Sequence, residues 1–80
     1  MKFLDCNLSE TDFTEADLTA ALFSNCNFSK ALFEQTVLEQ ADLSSSFNYS
    51  IDPVRNRIKK AKFSLGGIAG LLDRYDIEII

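Results

Sequence analysis

The sequence predicts a repeat fold in which the chain winds as a narrow coil and turns after each five-residue unit. Three observations predict it. Phe or Leu recurs every fifth residue, at Phe3, Leu8, Phe13, Leu18, Phe23, Phe28, Phe33, Leu38 and Leu43, without a break. Two residues before each stand Met1, Cys6, Thr11, Ala16, Ala21, Cys26, Ala31, Thr36 and Ala41, small in every case but the first. The interval fits neither a lone helix, with its period of about 3.6, nor a lone strand, with its period of about 2. On a straight helix every fifth residue would visit all faces, and no apolar side would form. Each unit therefore reads as one short side of a coil. The Phe or Leu and the small residue face in, and the other three residues face out. A repeat of this kind sets the architecture ahead of local propensity.

Composition bounds the rest. The chain has 80 residues, enough for one small domain. Such a chain buries only about 60% of its unfolded surface, so its core is thin. It is 46% hydrophobic and 25% charged, ordinary for a soluble chain. No apolar run approaches the ~18 residues of a membrane span. No basic segment followed by an apolar one opens the chain, so nothing argues for export, and the expected location is cytoplasmic, away from membranes. Two cysteines in such a chain read as reduced thiols. The net charge of −4 is uneven: residues 1–50 carry −6 and residues 51–80 carry +2. An acidic body argues against direct nucleic-acid binding, which needs Lys and Arg against phosphates, and suits a basic protein surface.

The phrases Ala16-Asp17-Leu18, Ala41-Asp42-Leu43 and Thr11-Asp12-Phe13, with the variants Cys6-Asn7-Leu8 and Cys26-Asn27-Phe28, resemble the pentapeptide-repeat family, whose pattern is roughly A-(D/N)-L-x-x. The resemblance covers residues 1–45. It implies an all-β fold, a right-handed quadrilateral parallel β-helix with four pentads in each coil. Residues twenty apart should then stack at the strand spacing of roughly 4.8 Å. The inward columns become Phe3/Phe23/Leu43/Phe63, Leu8/Phe28, Phe13/Phe33 and Leu18/Leu38, and the small columns Met1/Ala21/Ala41/Ala61 and Cys6/Cys26/Ser46. Like stacks on like. The expected organisation is a β-helix of about three coils over 1–63 and a C-terminal capping and dimerisation segment over 64–80.

Taken in order, the coils are 1–20, 21–40 and 41–60. The repeat begins within a pentad, so the expectation is an uncapped first coil, covered by another chain or belonging to a longer repeat protein. Residues 46–60 lose the strict pattern. Phe47 and Tyr49 stand where polar residues stood, Pro53 replaces a central Phe or Leu, and Asn56 and Ile58 take inward positions. Residues 48–53, with 58–64 after them, resemble the closing coil of many bacterial members of the family. Pro53 biases Asp52 toward extended or turn geometry, so 51–57 reads as a protruding corner. Ser64 is placed to cap a short C-terminal α-helix. Leu65, Ile68, Ala69, Leu71, Leu72 and Tyr75 recur at helical spacing and form its apolar face. Gly66, Gly67 and Gly70 each lower its stability by ~1 kcal/mol, so it needs a surface to pack on, and the end of the last coil supplies one. Ile77–Ile80 reads as a terminal strand.

The chain offers little for catalysis. It has no His, and Gly66-Gly67 lacks the spacing and the Lys of a phosphate loop. No enzyme activity, cofactor or metal is expected. Cys6 and Cys26 should stack within disulfide reach, but their column takes small residues in general, and two thiols are too few for a closed zinc site. Outward acids are more suggestive: Glu10, Asp12, Glu15, Asp17, Glu34 and Glu39 fall on or beside two neighbouring sides. Relatives that protect DNA gyrase from quinolones are proposed to present such carboxylates as a mimic of duplex DNA, so the resemblance implies a type II topoisomerase as a protein partner. The alternative is a solvated face, since the Asp of each unit belongs to the repeat pattern. Leu22, Leu32 and Val37 stand at the same outward position and form a second candidate contact, or scattered surface hydrophobes. The same relatives dimerise through their C-terminal region. The homodimer expected here uses Gly66, Ile68, Gly70, Leu71 and Leu72, against the alternative that the helix caps its own coil and stops there. Arg55, Arg57, Lys59, Lys60 and Lys62 read as a solvated basic corner.

Overall fold

A computed structural model describes residues 1–78. Its regular strands are short: β1 (Lys2–Leu4) and β2 (Leu22–Ser24). They pair in parallel, with Phe3 opposite Phe23. The pairing continues as isolated parallel bridges, Asn7 to Asn27, Asp12 to Leu32, Asp17 to Val37, Leu22 to Asp42, Asn27 to Phe47, Val37 to Arg57 and Asp42 to Lys62. Every partner lies twenty residues on, and through the first coil a new bridge starts every five. The chain therefore closes one four-sided coil in four pentads and climbs one strand spacing as it does so. Phe13 N donates to Leu32 O at 2.8 Å, and Leu38 N to Arg57 O at 2.7 Å.

The inward columns stack as the repeat requires. The Phe3 and Phe23 rings lie 4.8 Å apart and 7° from parallel, and those of Phe13 and Phe33 lie 5.2 Å and 14° apart. Phe28 closes edge-on against Phe23 at 5.1 Å, so adjacent columns interlock inside the coil. Aromatic contacts of these kinds add about 0.5–1.5 kcal/mol each beyond the area they bury. The core sits in the second coil, where Ala21, Phe23, Cys26, Phe28, Thr36 and Leu38 are all 0% exposed. The polar members are satisfied: Thr36 Oγ1 donates to Phe13 O at 2.8 Å, and Ser46 Oγ to Phe23 O at 2.7 Å.

Two local devices turn the chain, the first at eight successive corners and the second at some of them. The second residue after each Phe or Leu from Phe3 to Leu38 lies in the left-handed region, at Asp5, Glu10, Glu15, Ala20, Asn25, Lys30, Gln35 and Gln40, with φ between 51° and 61°. None is glycine, so each corner carries strain of about 1–2 kcal/mol, offset by the core that it closes. A side-chain clip spans the Phe or Leu. Asp12 Oδ1 accepts from Thr14 N and Oγ1, and Asp17 Oδ1 from Thr19 N and Oγ1. The Asn7–Ser9 and Asp42–Ser44 pairs repeat both bonds, and Asn27 accepts from Ser29 N. These are Asx turns, in which a short polar side chain supplies the bond that a backbone turn would lack.

The third coil breaks step. Asn48 falls in the slot above Phe28 but turns out, at φ 63°, and Tyr49 enters the core instead, 4% exposed. Ile51 fills the place above Ala31 and is 1% exposed. Asn56 is buried and takes three bonds, from Thr36 N to its Oδ1 and from its Nδ2 to Phe33 O and Asp52 O. Between them residues 53–55 turn at the surface, a narrower corner than the 51–57 expected, because Ile51 and Asn56 are buried. Phe63 returns to the stack beside Tyr49, ring centroids 5.5 Å apart.

The C-terminal segment differs from its expectation. In place of an α-helix it forms two 3-10 helices, Ile68–Leu71 and Asp73–Tyr75. Ser64 does not cap a helix: its Oγ accepts from Gly67 N at 3.0 Å and closes the turn before the first of them, whose own N-cap is Gly67 with no side-chain bond. The reason for the tighter winding lies in which glycines are used. A Cβ on Gly67 would fall 2.2 Å from Tyr49 Oη, and one on Gly70 would fall 2.1 Å from Tyr49 O. Residues three apart eclipse in a 3-10 helix, so Gly67 and Gly70 lie on one side and let the backbone settle on Tyr49. The Gly70 carbonyl then accepts from Ile51 N at 3.0 Å. An α-helix would have aligned residues four apart, Gly66 with Gly70, but Gly66 has nothing within 4 Å. Arg74 ties the segment down by donating to Asp52 Oδ2 at 2.7 Å. Of the terminal strand expected at 77–80, Ile77 and Glu78 are not in a strand, and residues 79–80 lie outside the described residues.

Candidate functional site

The six candidate acids are not one uniform set. Asp12 and Asp17 project from the centres of neighbouring sides of the first coil, and Glu10 and Glu15 sit at the left-handed corners before them. All four are exposed. The hydroxyl and then the amide of Thr14 hold the Asp12 carboxyl below its ordinary value, and Thr19 does the same to Asp17. Asp42, on another side, is lowered in the same way by Ser44. These groups stay ionised, and the clip fixes their direction. Both bonds fall on Oδ1, and Oδ2 makes none within the described residues. Glu34 and Glu39 belong to the second coil and are half-buried. Glu34 is paired with Arg55 at 2.8 Å, which removes it from a free acidic row.

Spacing alone had not marked the clip. The signal was present, in Asp or Asn followed two residues later by Ser or Thr, at Asn7, Asp12, Asp17, Asn27 and Asp42. It gives those aspartates a structural task as well as a charge. Where Leu22, Leu32 and Val37 replace them no clip exists. Leu32 is 58% exposed, while Leu22 and Val37 are half-buried.

The thiols read as packing. Cys6 and Cys26 are free, Cys26 is buried, and its Sγ lies 3.2 Å from Phe3 O. Among the described residues no three His, Cys, Asp or Glu side chains gather as metal ligands would. No helix among them is long and apolar enough to cross a membrane.

The five residues named for a dimer contact have separate surroundings. Gly70 and Leu71 turn toward the coil, Leu71 packing on the core beside Tyr49. Leu72 is half-buried. Ile68 and Gly66 are exposed, next to Leu65 at 89%. The buried residue that the sequence pattern missed is Tyr49, the platform on which the segment rests. Its hydroxyl is enclosed without a hydrogen-bond partner among the described residues.

The geometry is that of a rigid scaffold with fixed outward side chains, and comparison with known proteins agrees. A family model described as pentapeptide repeats matches residues 2–29 and 21–46, with 8 copies of the repeat. A search of curated proteins finds no match. The two matched stretches together cover more than half of the chain, which therefore belongs to the pentapeptide-repeat family.

Proposed function

We propose that the chain is a non-catalytic protein-interaction module, a right-handed quadrilateral β-helix whose sides serve as the binding surface. Chains built from these repeats typically work in this way. The observation that carries the reading is the pair of clipped aspartates, Asp12 and Asp17, held ionised and in fixed directions on neighbouring sides of the first coil. Fixed charge on a rigid frame favours recognition, because little side-chain freedom is lost on binding. The lowered carboxyls move away from the range that a general acid needs. The partner on this reading is a basic protein surface in the cytoplasm.

The narrow form of the proposal is that these carboxylates, with Glu10, Glu15, Glu34 and Glu39, imitate a duplex for a type II topoisomerase such as gyrase. The first coil supports it, and the Arg55–Glu34 pair works against extending the acid row. Titrating gyrase supercoiling with the purified chain is the test. Inhibition that Asp12→Asn and Asp17→Asn together weaken supports the narrow form. No change in supercoiling at large molar excess removes it.

A second reading assigns residues 64–78 a structural task, as the cap and homodimerisation end of a longer β-helix. Exposed Leu65 and Ile68 beside the capped coil favour it. Replacing both with Glu leaves the Tyr49 contact intact, so loss of a dimer in those variants supports this reading. A monomer in the parent chain contradicts it.

A further inference from the structure

One side of the coil reverses its charge in two adjoining columns at once. Its outward columns run Glu15, Gln35, Arg55 at the corner and Asp17, Val37, Arg57 along the centre. Bridges join Asp17 to Val37 and Val37 to Arg57, and Gln35 N donates to Arg55 O at 3.0 Å, so the columns are true vertical neighbours. Each passes from acid through neutral to base across three coils. The column Asp12, Leu32, Asp52 is acidic at both ends, and Asn7, Asn27, Phe47 is uncharged; Lys2, Leu22, Asp42 reverses in its centre column alone, with Lys62 beyond Asp42 and no acid in the corner column Ala20, Gln40, Lys60. The side chains are open to solvent: all the charged members are exposed, and Val37 is half-buried. Arg57 has no ion-pair partner among the described residues, whereas Arg55 pairs with Glu34 of its own chain at 2.8 Å. An open groove of about 540 Å³ runs along this side past Val37, Val54, Arg55 and Arg57, and a second of about 270 Å³ lies between Glu39 and Lys59.

We propose that this side pairs with the same side of a second copy, with the coil axes antiparallel and the two-fold axis lying between the two middle strands and parallel to them. That rotation lays the first coil of each copy on the third coil of the other. Asp17 meets Arg57 of the second copy, Glu15 meets its Arg55, and Val37 meets its own equivalent at the apolar centre. An isologous contact requires a patch that is its own complement, and a column whose charge reverses across a neutral centre meets that requirement. With parallel axes the same sides would set acid on acid. A foreign protein of uniform charge would gain on one row and lose on the other, so the second copy is the occupant that the pattern fits. The surface is distinct from Leu65 and Ile68. Pairing covers Glu15 and Asp17, and would therefore compete with any basic partner for the first coil.

Sedimentation equilibrium across a concentration series tests this. A small, charged contact predicts a weak dimer, with dissociation at least tenfold easier when ionic strength rises from about 0.02 M to about 0.5 M. Val37→Asp sets a carboxylate against its own mate, so the dimer is lost. The fold survives that change, because the equivalent position one coil below is already Asp17. Asp17→Lys and Arg57→Glu each give monomer when alone. Mixed, they recover a one-to-one dimer. The introduced lysine of one variant then faces the introduced glutamate of the other, and the native Arg57 of the first faces the native Asp17 of the second. A parent chain that is monomeric at every concentration and salt overturns the proposal. So does a dimer that all three variants leave intact, or one that is lost only when Leu65 and Ile68 are replaced.

Discussion

The first and second coils are built from the same phrases and end in different environments. Phe23, Cys26 and Phe28 are 0% exposed, whereas Phe3, Cys6 and Leu8, twenty residues earlier, are only half-buried. The local sequences do not account for this. The second coil has a neighbour above and below, and the first is covered on one face by the second. Burial in this molecule is a property of stacking, and each coil depends on its neighbours for its core, as in solenoids generally. The far end shows what a cover does. Tyr49, Phe63 and Leu71 close the third coil, and Leu43 and Ile51 beneath them are 0% and 1% exposed.

The largest expected effect separates the two coils directly. Phe28→Ala should cost about 3–5 kcal/mol, as for other fully buried aromatics, and leave the chain largely unfolded. Leu8→Ala, one coil below in the same column, should cost only about 1 kcal/mol, because its side chain is already partly in water. Urea denaturation compares them, and equal losses would break the comparison. The cover at the other end comes next. Gly70→Ala forces a Cβ against the Tyr49 carbonyl and should cost about 2 kcal/mol. Gly66→Ala meets open space at ordinary φ and should be neutral or stabilise by about 0.5 kcal/mol. The same denaturation series distinguishes them.

The corners give a smaller effect of opposite sign. Ala20 sits at φ 60°, so Ala20→Gly should raise stability by about 1 kcal/mol through relief of left-handed strain. Ala21→Gly, one residue on and fully buried, should lower it by at least about 1 kcal/mol. The smallest effect is the acid response. The carboxyls of Asp12, Asp17 and Asp42 are lowered from 3.8 in the folded chain. Their contribution is therefore present above the ordinary carboxylate value and disappears as pH falls through the lowered one. Stability should decline between about pH 5 and about pH 2. Replacing all three with Asn should flatten that decline, since Asn7 and Asn27 already form clips without titrating.

Much of the fold was legible because the repeat writes the stacking directly into the sequence. Phe13 under Phe33 and Cys26 under Ser46 follow from counting by twenty. The rest was hidden where two regularities compete. At Asn48 a left-handed corner arrives two residues early, and Tyr49, rather than the residue in phase, points inward. At the C-terminus the spacing of Leu65, Ile68, Leu71 and Leu72 suits an α-helix, yet contact with Tyr49 selects the three-residue interval from Gly67 to Gly70. The candidate surface was half legible. The positions of the acids followed from the repeat, but the Arg55 that neutralises Glu34 could be placed there only after the coil had been traced through its irregular third turn.

Vertical adjacency of residues twenty apart is the premise of every conclusion above, and backbone nuclear Overhauser contacts in the isotope-labelled chain measure it directly. The expected result is a ladder of contacts linking Asp12 with Leu32, Asp17 with Val37 and Asn27 with Phe47. A spectrum in which those pairs show no contact, and sequential contacts of helical type run through residues 1–45, would contradict it.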